Sequence, residues 1–479
     1  MKYIFYIVFL ISLQSVSAQI FDKVTIKEPE PGNNDKRINL VILSEGYQES
    51  ELDKFITDAT DFTNDMFSQS PFSEYSNYFN VYAIKVPSNE SGADHPGTAT
   101  NVAEPHNIPI SSVDTYFNAT FDAWGYHRFL YYGIDYADAT SADAKINSVL
   151  ASNFPTYDQA LILVNSTEYG GTGGEFPIAS RGSINGINAN EIAIHELGHS
   201  MFSLRDEYFQ GTDYASEAIN MTQETNPSLI KWGNWLYDNG IGVYQHTNIY
   251  TNQLVDWYKP HQTCKMGVLG QPFCSVCKEG MIEKIHELVS PIDTYTPTSN
   301  TLDNSSFPIN FHLELIEPNP NTLKNKWTLN SLDFDTDVDD VSILETDLNS
   351  GINTLTVVVH DDTSFIRIVN HDTFHIYSVT WTIDNTLGIE AITSKTTNYN
   401  ISMYPNPSNN LVNFKLESNS DDAIMKVEII SLDGKKVKTT SISNYQTNQV
   451  NINNLSQGIY LTNFYANNVL IASKKLVKE

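Results

Sequence analysis

The sequence predicts an N-terminal domain of mixed α/β structure, with a mixed sheet and helices around one core, followed by two all-β sandwich domains. Three observations lead to this prediction. At 479 residues the chain is too long for a single core. Strand-like and helix-like patterns alternate up to about residue 290, and only short strand-like runs follow. With 41% hydrophobic and 11% aromatic residues, the chain can build several cores.

The N-terminus and the charge indicate an exported protein. Met1-Lys2 precedes the apolar run Tyr3–Ile11, and small residues end at Ala18, so residues 1–18 have the pattern of a secretory signal peptide. No later stretch has the roughly 18 apolar residues that a membrane span needs. A net charge of −29 repels phosphate backbones and argues against nucleic-acid binding. We expect a monomeric protein without a transmembrane segment, located at the cell surface or in the medium.

Residues 19–290 form the predicted α/β domain. Its strands are β-branched and aliphatic runs, whereas its helices show apolar residues three and four positions apart. A glycine-rich loop, Gly170–Gly174, precedes a segment, Ile178–Ile184, that we expect to form an edge strand. The other predicted elements are strands Ile38–Leu43, Tyr78–Val86 and Gln159–Val164, and helices Ser50–Phe67, Ala144–Leu150 and Glu191–Leu204.

The remaining chain is predicted to hold only strands and linkers. Residues 291–306 are rich in Thr, Ser, Asn and Pro and are expected to be a linker. Short strands with polar turns over residues 307–385 predict an Ig-like β-sandwich. A second linker, residues 386–400, leads to the second β domain, residues 401–479, in which Asp433-Gly434 marks a hairpin turn.

The strongest functional signal is the sequence His195-Glu196-Leu197-Gly198-His199 in a predicted helix. Residues four apart lie on the same face of a helix, so both imidazoles can bind one metal ion. Glu196 is placed to hold and deprotonate a water molecule, which a zinc ion acidifies to a pKa of about 7. The pattern therefore predicts one catalytic Zn²⁺ and hydrolysis of peptide bonds with Glu196 as the general base.

A catalytic zinc ion needs a third protein ligand, and the spacing leaves its identity open. In metzincins this ligand lies ten residues after the first histidine, beyond a glycine that breaks the helix. Here those positions hold Arg205 and Phe202, so that pattern fails. Glu217 and Glu224 are candidates on later elements, and Asp206 is a third candidate if the chain turns back after the helix.

At this point the sequence resembles a known family. His195–Tyr208, which reads HELGHSMFSLRDEY, is similar to the bacterial IgA-peptidase-like zinc metallopeptidases. The resemblance implies that Asp206 is the third zinc ligand. Cys264-Lys265-Met266, followed by Phe273–Cys277, resembles the methionine turn of that family, which implies that Met266 lies beneath the metal. Further matches are Arg37–Tyr47 and Asp94–Gly97, so the resemblance covers about residues 20–290 and implies a metzincin-like fold.

Other residues carry weaker predictions. Tyr258 and His261 precede the methionine turn and are candidates for transition-state stabilisation, although packing or a satisfied hydrogen bond is the favoured explanation for both. Cys264 and Cys277 are candidates for a disulfide formed after export, with Cys274 as the alternative partner. A run of closely spaced aspartates suggests a Ca²⁺ site but also fits a solvated turn. These residues are Asp333, Asp335, Asp337, Asp339 and Asp340.

The C-terminal segment indicates how the protein is exported. Its opening Ser402–Pro407 and its later strands resemble the sorting domain of type IX secretion cargo in Bacteroidota. The resemblance implies the type IX machinery as a partner and a protein or peptide as the substrate. A second hypothesis is a catalytically inactive adhesin on the same fold, which would need no general base at position 196.

Overall fold

A computed structural model of the chain describes residues 19–106, 108–134, 139–303, 306–368, 375–386, 399–418, 425–432, 434–442, 447–466 and 469–479. The predicted signal peptide and most of the second predicted linker lie outside these residues. The described part holds no helix that is long and apolar enough to cross a membrane. The chain divides into two units, Met1–Thr386 and Leu387–Glu479.

The first unit begins with an α/β part. Its strands, among the described residues, are β1 (Lys23–Lys27), β2 (Ile38–Glu45), β3 (Phe79–Ile84), β4 (Ala119–Thr120), β5 (Tyr131–Tyr132), β6 (Gln159–Val164), β7 (Gly171–Thr172), β8 (Ile178–Ala179), β9 (Ser183–Ile184), β10 (Ile187–Asn188), β11 (Tyr244–Thr247) and β12 (Leu254–Lys259). Its helices are α1 (Leu52–Phe67), α2 (Ala139–Asn153), α3 (Asn190–Ser200) and α4 (Ser275–Leu288).

A six-stranded sheet in the order β1-β3-β2-β6-β8-β7 forms the centre of this part. The four inner strands are parallel, and the outer strands β1 and β7 are antiparallel to their neighbours. On one face Leu40 and Ile42 join a core with α1, α3 and α4, and on the other Val41 and Leu43 join a core with α2 and β4–β5. Burial on both faces explains why the inner strands are continuous apolar runs. The predicted mixed sheet with helices is confirmed.

Two local predictions differ from the structure. Helix α3 ends at Ser200, not Leu204, because Ser203 takes a left-handed φ of 57° and the chain reverses there. The segment Ile178–Ile184 is not an edge strand, since β8 pairs with β6 on one side and with β7 on the other. Ser183–Ile184 instead forms a hairpin with β10. The edge of the sheet on this side is therefore β7.

The second part of the first unit is a β-sandwich. Its strands are β13 (Ile292–Thr296), β14 (Thr301–Asp303), β15 (Ile309–Leu315), β16 (Leu323–Leu329), β17 (Leu332–Thr336), β18 (Asp340–Ile343), β19 (Gly351–Asp361) and β20 (Tyr377–Asn385). They form the sheets β13-β15-β18 and β14-β20-β19-β16-β17, which share one core. Trp327 and Trp381 stack in that core with centroids 5.8 Å apart. Strands β13 and β14 occupy the predicted linker 291–306, because Ile292, Tyr295 and Leu302 pack onto the core.

A buried polar contact joins the sandwich to the α/β part. Asp361 Oδ2 accepts a hydrogen bond from the Tyr75 hydroxyl at 2.6 Å and lies 2.8 Å from His286 Nε2. Both partners of the His286–Asp361 pair are 1% exposed at the side chain. Burial acts to raise the pKa of Asp361, but the hydrogen bond and charge of His286 outweigh it and hold that pKa below its ordinary value.

We expect Asp361→Ala to lower the free energy of unfolding by about 3–5 kcal/mol, because it leaves the buried partners of the carboxylate unpaired. The depressed pKa means that the contact stabilises the fold above the unfolded Asp pKa of about 3.9 and is lost as pH falls through the lower folded value. Denaturant unfolding at neutral pH measures the difference. The exposed neighbour Asp362 supplies the control Asp362→Ala. Equal stability of the two variants would contradict the prediction.

The second unit consists of strands only in its described residues. These are β21 (Tyr399–Tyr404), β22 (Leu411–Ser418), β23 (Met425–Ser431), β24 (Lys436–Ile442), β25 (Thr447–Asn451), β26 (Gly458–Ala466) and β27 (Val469–Lys478). They form the sheets β21-β22-β25 and β24-β23-β26-β27 around a core in which Phe414 and Phe464 meet edge to face. Gly434 has a φ of 81° in the turn between β23 and β24, as a hairpin glycine requires.

Candidate metal centre

Three donor atoms meet at the C-terminal end of α3. His195 Nε2 and His199 Nε2 are 3.1 Å apart, and Asp206 Oδ1 lies 3.1 Å from the first and 3.2 Å from the second. Ligands of a tetrahedral ion at about 2.0–2.1 Å are separated by about 3.3–3.4 Å, so the triangle fits one zinc-sized ion. His199 and Asp206 are 26% and 21% exposed at the side chain, which leaves the centre open on one side.

Local backbone geometry holds this triangle. One helical turn separates the two histidines, and the reversal at Ser203 brings Asp206 back to them; the Leu204 N–H donates to Gly198 O at 3.0 Å. His195 Nδ1 lies 3.0 Å from Lys265 O, and His199 Nδ1 lies 2.7 Å from Leu204 O. Each Nδ1–H therefore donates to a carbonyl, which leaves both Nε2 lone pairs available to an ion.

The charges of the three groups reinforce one another. Burial alone would lower the pKa of His195 and raise that of Asp206. The hydrogen bond to Asp206 and the charges of Glu196 and Asp206 instead raise the pKa of His195 to about 9. The two imidazoles in turn lower the pKa of Asp206 below its ordinary value. The arrangement thus stabilises a positive charge at the point where the donors converge.

Glu196 lies beside the triangle. Its Oε2 is 3.9 Å from His199 Nε2, and its side chain is 16% exposed. Burial raises the pKa of Glu196, although the neighbouring histidines act in the opposite direction. The glycine-rich loop closes over this carboxylate, because a Cβ at Gly173 would lie 2.2 Å from Glu196 Oε2. A side chain at position 173 would therefore displace the Glu196 carboxylate from its present position.

Met266 lies under the same helix. It is fully buried, and a Cβ at Gly198 would lie 2.8 Å from its sulfur. Glycine between the two histidines therefore lets the methionine side chain approach the helix backbone. The neighbouring carbonyl, Lys265 O, orients His195. The turn around Met266 thus provides both an apolar floor and a polar anchor.

The other candidates for the third ligand lie elsewhere. Glu217 forms an ion pair with Lys231 at 2.6 Å, and Glu224 accepts hydrogen bonds from the backbone N–H groups of Thr225 and Asn226. Among the described residues, neither carboxylate forms a hydrogen bond or ion pair with the two imidazoles. Asp206 is the carboxylate that the structure brings to both.

The two residues suggested for transition-state stabilisation are not part of the triangle's contacts. Tyr258 lies in β12, and its backbone pairs with Thr222 and Gln245. His261 lines a cleft that also contains Trp235 and Phe365.

The sequence pattern did not assign a role to Tyr208, although this residue ends the segment His195–Tyr208 that carries the family resemblance. Burial and the charges of Asp206 and Glu196 raise the pKa of the Tyr208 hydroxyl, which also hydrogen-bonds to Asp206. Tyr208 borders a cavity of about 490 Å³ that His246 and Lys259 also line. Its place two residues after Asp206 was the only sequence signal for this position.

The candidate disulfide between Cys264 and Cys277 is not formed in this structure. Their sulfurs are 3.6 Å apart, whereas a disulfide bond is about 2.05 Å long, and all three cysteines are free. The five aspartates suggested for Ca²⁺ are divided among different partners. Asp333 and Asp337 pair with Lys326 and Lys324, and Asp340 contacts His312.

Comparison with protein families shows that the segment carrying this centre is that of a peptidase. Residues 26–241 match the family model IgA Peptidase M64, which describes a metallopeptidase family. Residues 402–479 match a secretion system C-terminal sorting domain, which indicates export to the cell surface or the medium. Both resemblances seen in the sequence are thereby confirmed.

Comparisons with individual proteins are less informative. No curated protein matches the chain. Latent dimeric PorU from Porphyromonas gingivalis is 14% identical over 38% of this chain and 19% of its own, with a TM-score of 0.17. The fibronectin(III)-like modules of CbhA from Clostridium thermocellum are 11% identical over 39% of this chain and 93% of theirs, with a TM-score of 0.14. This chain thus spans 19% of the length of the PorU chain, or about a fifth.

Proposed function

We propose that this protein is an exported zinc endopeptidase of metzincin-like plan, with His195, His199 and Asp206 as the zinc ligands. The observation that carries the proposal is the triangle of donor atoms with sides of 3.1 and 3.2 Å beside the partly buried Glu196. The position of Met266 beneath Gly198 supports the metzincin-like assignment. An adhesin would have no use for a carboxylate held at this point.

Only a few residues take part in the proposed mechanism. Zinc, when bound, supplies positive charge that acidifies water and polarises the scissile carbonyl. Glu196 accepts the proton of the attacking water and delivers it to the leaving amine nitrogen. Lys265 O and Leu204 O hold the imidazoles in the tautomer that directs Nε2 inward. Tyr208, whose hydroxyl hydrogen-bonds to Asp206, donates a hydrogen bond to the developing oxyanion in this mechanism, a role for which Tyr258 and His261 remain candidates.

Metal dependence tests this function directly. We expect a chelator such as 1,10-phenanthroline to abolish cleavage of a peptide library and stoichiometric Zn²⁺ to restore it, because the charge that activates water is removed and returned. Mass spectrometry of the digest measures cleavage and identifies the preferred sites. Undiminished cleavage by protein from which elemental analysis finds all metal removed would rule out the zinc mechanism.

Export is the second part of the proposal. We propose that residues 1–18 are a signal peptide, that type IX machinery recognises residues 401–479, and that the latter are removed on secretion. Deleting residues 402–479 should leave the protein in the periplasm, whereas the wild type should appear outside the cell and end near Tyr404. Intact-mass measurement of the extracellular form checks the boundary. Finding the chain intact through Glu479 in the medium would contradict removal of the domain.

A further inference from the structure

The segment between β3 and α2 contains a second cluster of metal-binding side chains. It runs for more than fifty residues, yet its only regular strands in the described residues are the two-residue pair β4 and β5. Irregular segments of this length are uncommon in folded domains unless some other interaction holds them. Four side chains from this segment meet in its interior: His95, Glu104, Asp122 and His127.

The distances within this cluster match those of ligands around one ion. His95 Nε2 lies 3.3 Å from Glu104 Oε2 and 3.4 Å from Asp122 Oδ2. His127 Nδ1 lies 3.2 Å from Glu104 Oε1 and 3.4 Å from Asp122 Oδ1. A tetrahedral ion bound by nitrogen and oxygen at about 2.0–2.2 Å requires separations of about 3.3–3.6 Å. The side chains are 0–9% exposed, so bulk solvent does not reach the cluster.

Unsatisfied atoms show where the ion would lie. His95 Nε2, His127 Nδ1, Glu104 Oε1 and Asp122 Oδ1 are all buried without a hydrogen-bond partner. Each of the two imidazole nitrogens lies near carboxylate oxygens but lacks hydrogen-bond geometry with them. The lone pairs of the nitrogens and of the oxygens therefore converge on one point. A buried polar atom left in this way costs about 1–3 kcal/mol, and more when charged. A cation at the centre would satisfy all four atoms.

The surroundings orient the four side chains for this purpose. His95 Nδ1 lies 3.1 Å from Pro109 O, and that donor bond leaves Nε2 unprotonated. The Thr98 N–H donates to Asp122 Oδ2 at 2.8 Å, and the His106 N–H donates to Glu104 Oε2 at 2.9 Å. Glu168 Oε1 lies 3.4 Å from His127 Nε2, on the side away from the cluster.

We propose that His95, Glu104, Asp122 and His127 bind a second divalent transition-metal ion of the Zn²⁺ type. Two imidazoles and two carboxylates suit zinc, manganese or iron better than calcium, and the two negative charges balance a dication. The ion would cross-link the segment that packs against the glycine-rich loop. A Cβ at Gly170 would lie 2.7 Å from Phe121, and one at Gly174 would lie 3.1 Å from the Tyr131 hydroxyl. The site is therefore structural and supports the loop over Glu196.

The test is the zinc content of the full-length protein after dialysis. His127→Ala and the shape-conserving Asp122→Asn should each lose one equivalent of zinc relative to wild type, whereas the neighbouring His106→Ala should lose none. Metal-dependent protection of residues 85–138 from limited proteolysis is the second readout. Asp206→Ala should keep this equivalent, which separates the site from the catalytic proposal. Wild-type zinc content and protease resistance in both Asp122→Asn and His127→Ala would overturn the inference.

A third group, independent of the first two, consists of Glu207, Cys264, Cys274 and Cys277. Cys264 Sγ is 3.6 Å from Cys277 Sγ, and Glu207 Oε1 is 3.3 Å from Cys277 Sγ and 3.9 Å from Cys274 Sγ. Sulfur ligands of zinc at about 2.3 Å are separated by about 3.8 Å. The four residues are at most 7% exposed, and Glu207 Oε2 has no hydrogen-bond partner.

The backbone around the cysteines presents their sulfurs in a way that suits a metal. The N–H groups of Gly267 and Val268 donate to Cys264 O at 2.8 and 2.9 Å, which forms a tight turn. The Cys274 N–H donates to Cys264 Sγ at 3.2 Å. Cys274 is the N-cap of α4, and Cys277 lies in its first turn. The sulfurs thus come from one turn and one helix start.

We infer that these four residues form a structural zinc site that ties the turn carrying Asp206 to the turn carrying Met266. Cobalt-substituted protein should show thiolate-to-cobalt charge-transfer absorption, which nitrogen and oxygen sites cannot produce. Cys277→Ser should lose much of this band and one zinc equivalent, whereas His127→Ala should retain the band. Thiol titration of the denatured protein should find three free thiols. One free thiol and a disulfide, with no charge-transfer band, would overturn the site.

Discussion

Replacement of Glu196 by Gln is expected to lower kcat by about 10²–10⁴-fold, the usual contribution of a general base, while the zinc content stays unchanged. The substitution keeps the size of the side chain but removes the group that accepts the proton of water. The three donors are other residues, and Glu196 Oε2 is 3.9 Å from the nearer imidazole nitrogen, so the metal should remain. Steady-state kinetics on a peptide found in the library digest, with metal analysis of the same sample, measures both quantities.

The matched control for this experiment is Glu217→Gln. Glu217 is a half-exposed carboxylate that pairs with Lys231 and has no contact with the histidines. Its replacement should leave kcat within a factor of about two, because exposed ion pairs contribute little to the fold. Near wild-type turnover in Glu196→Gln would assign the base to another residue. A loss of zinc in that variant would mean that Glu196 is a ligand.

How far the site could be predicted depends on the distance in sequence between its parts. Helical periodicity alone puts His195 and His199 on one face, so two proposed ligands and the proposed base follow from five residues. The proposed third ligand reaches the histidines only because Ser203 is left-handed, and serine gives no signal for such a conformation. Until the family resemblance is considered, Asp206 therefore remains one of three candidates.

Long separations in sequence also explain why the two further clusters of metal-binding side chains were not predicted. His95 and His127 are 32 positions apart in a segment without periodicity, and nothing in the pattern predicts that they meet. The sequence shows that the three cysteines lie close together, but nothing in it associates Glu207 with them. Cysteines so close together in an exported protein therefore favour a disulfide. In the sandwich, the Thr- and Ser-rich residues 291–306 resemble a linker, and only packing of Ile292 and Leu302 shows that strands form there.

The cysteine cluster is connected to the triangle of His195, His199 and Asp206 through the backbone around Glu207. Asp206 and Glu207 are neighbours, and Glu207 O accepts a hydrogen bond from Lys259 Nζ at 2.5 Å. The Glu207 N–H donates to Met266 O at 2.7 Å, next to the carbonyl that orients His195. Alternating side chains at 206 and 207 thus point to two different groups of donors. A change at Glu207 is expected to affect the cysteine cluster first and the triangle only through this backbone.

That separation makes Asp206→Ala the sharpest test of the third ligand. Loss of a hydrogen-bonding partner behind a metal ligand costs about 10–100-fold in affinity, so loss of a ligand itself should cost more than about 100-fold. We expect Asp206→Ala to lose one zinc equivalent on dialysis together with all measurable activity. The exposed Asp213→Ala, seven positions later, should lose neither. Glu207→Ala should lose the thiolate-to-cobalt band but keep zinc at the histidines. If Asp206→Ala keeps full zinc while Glu207→Ala or Glu217→Ala releases the active-site ion, Asp206 is not the ligand, because the two histidines alone hold zinc too weakly to survive dialysis.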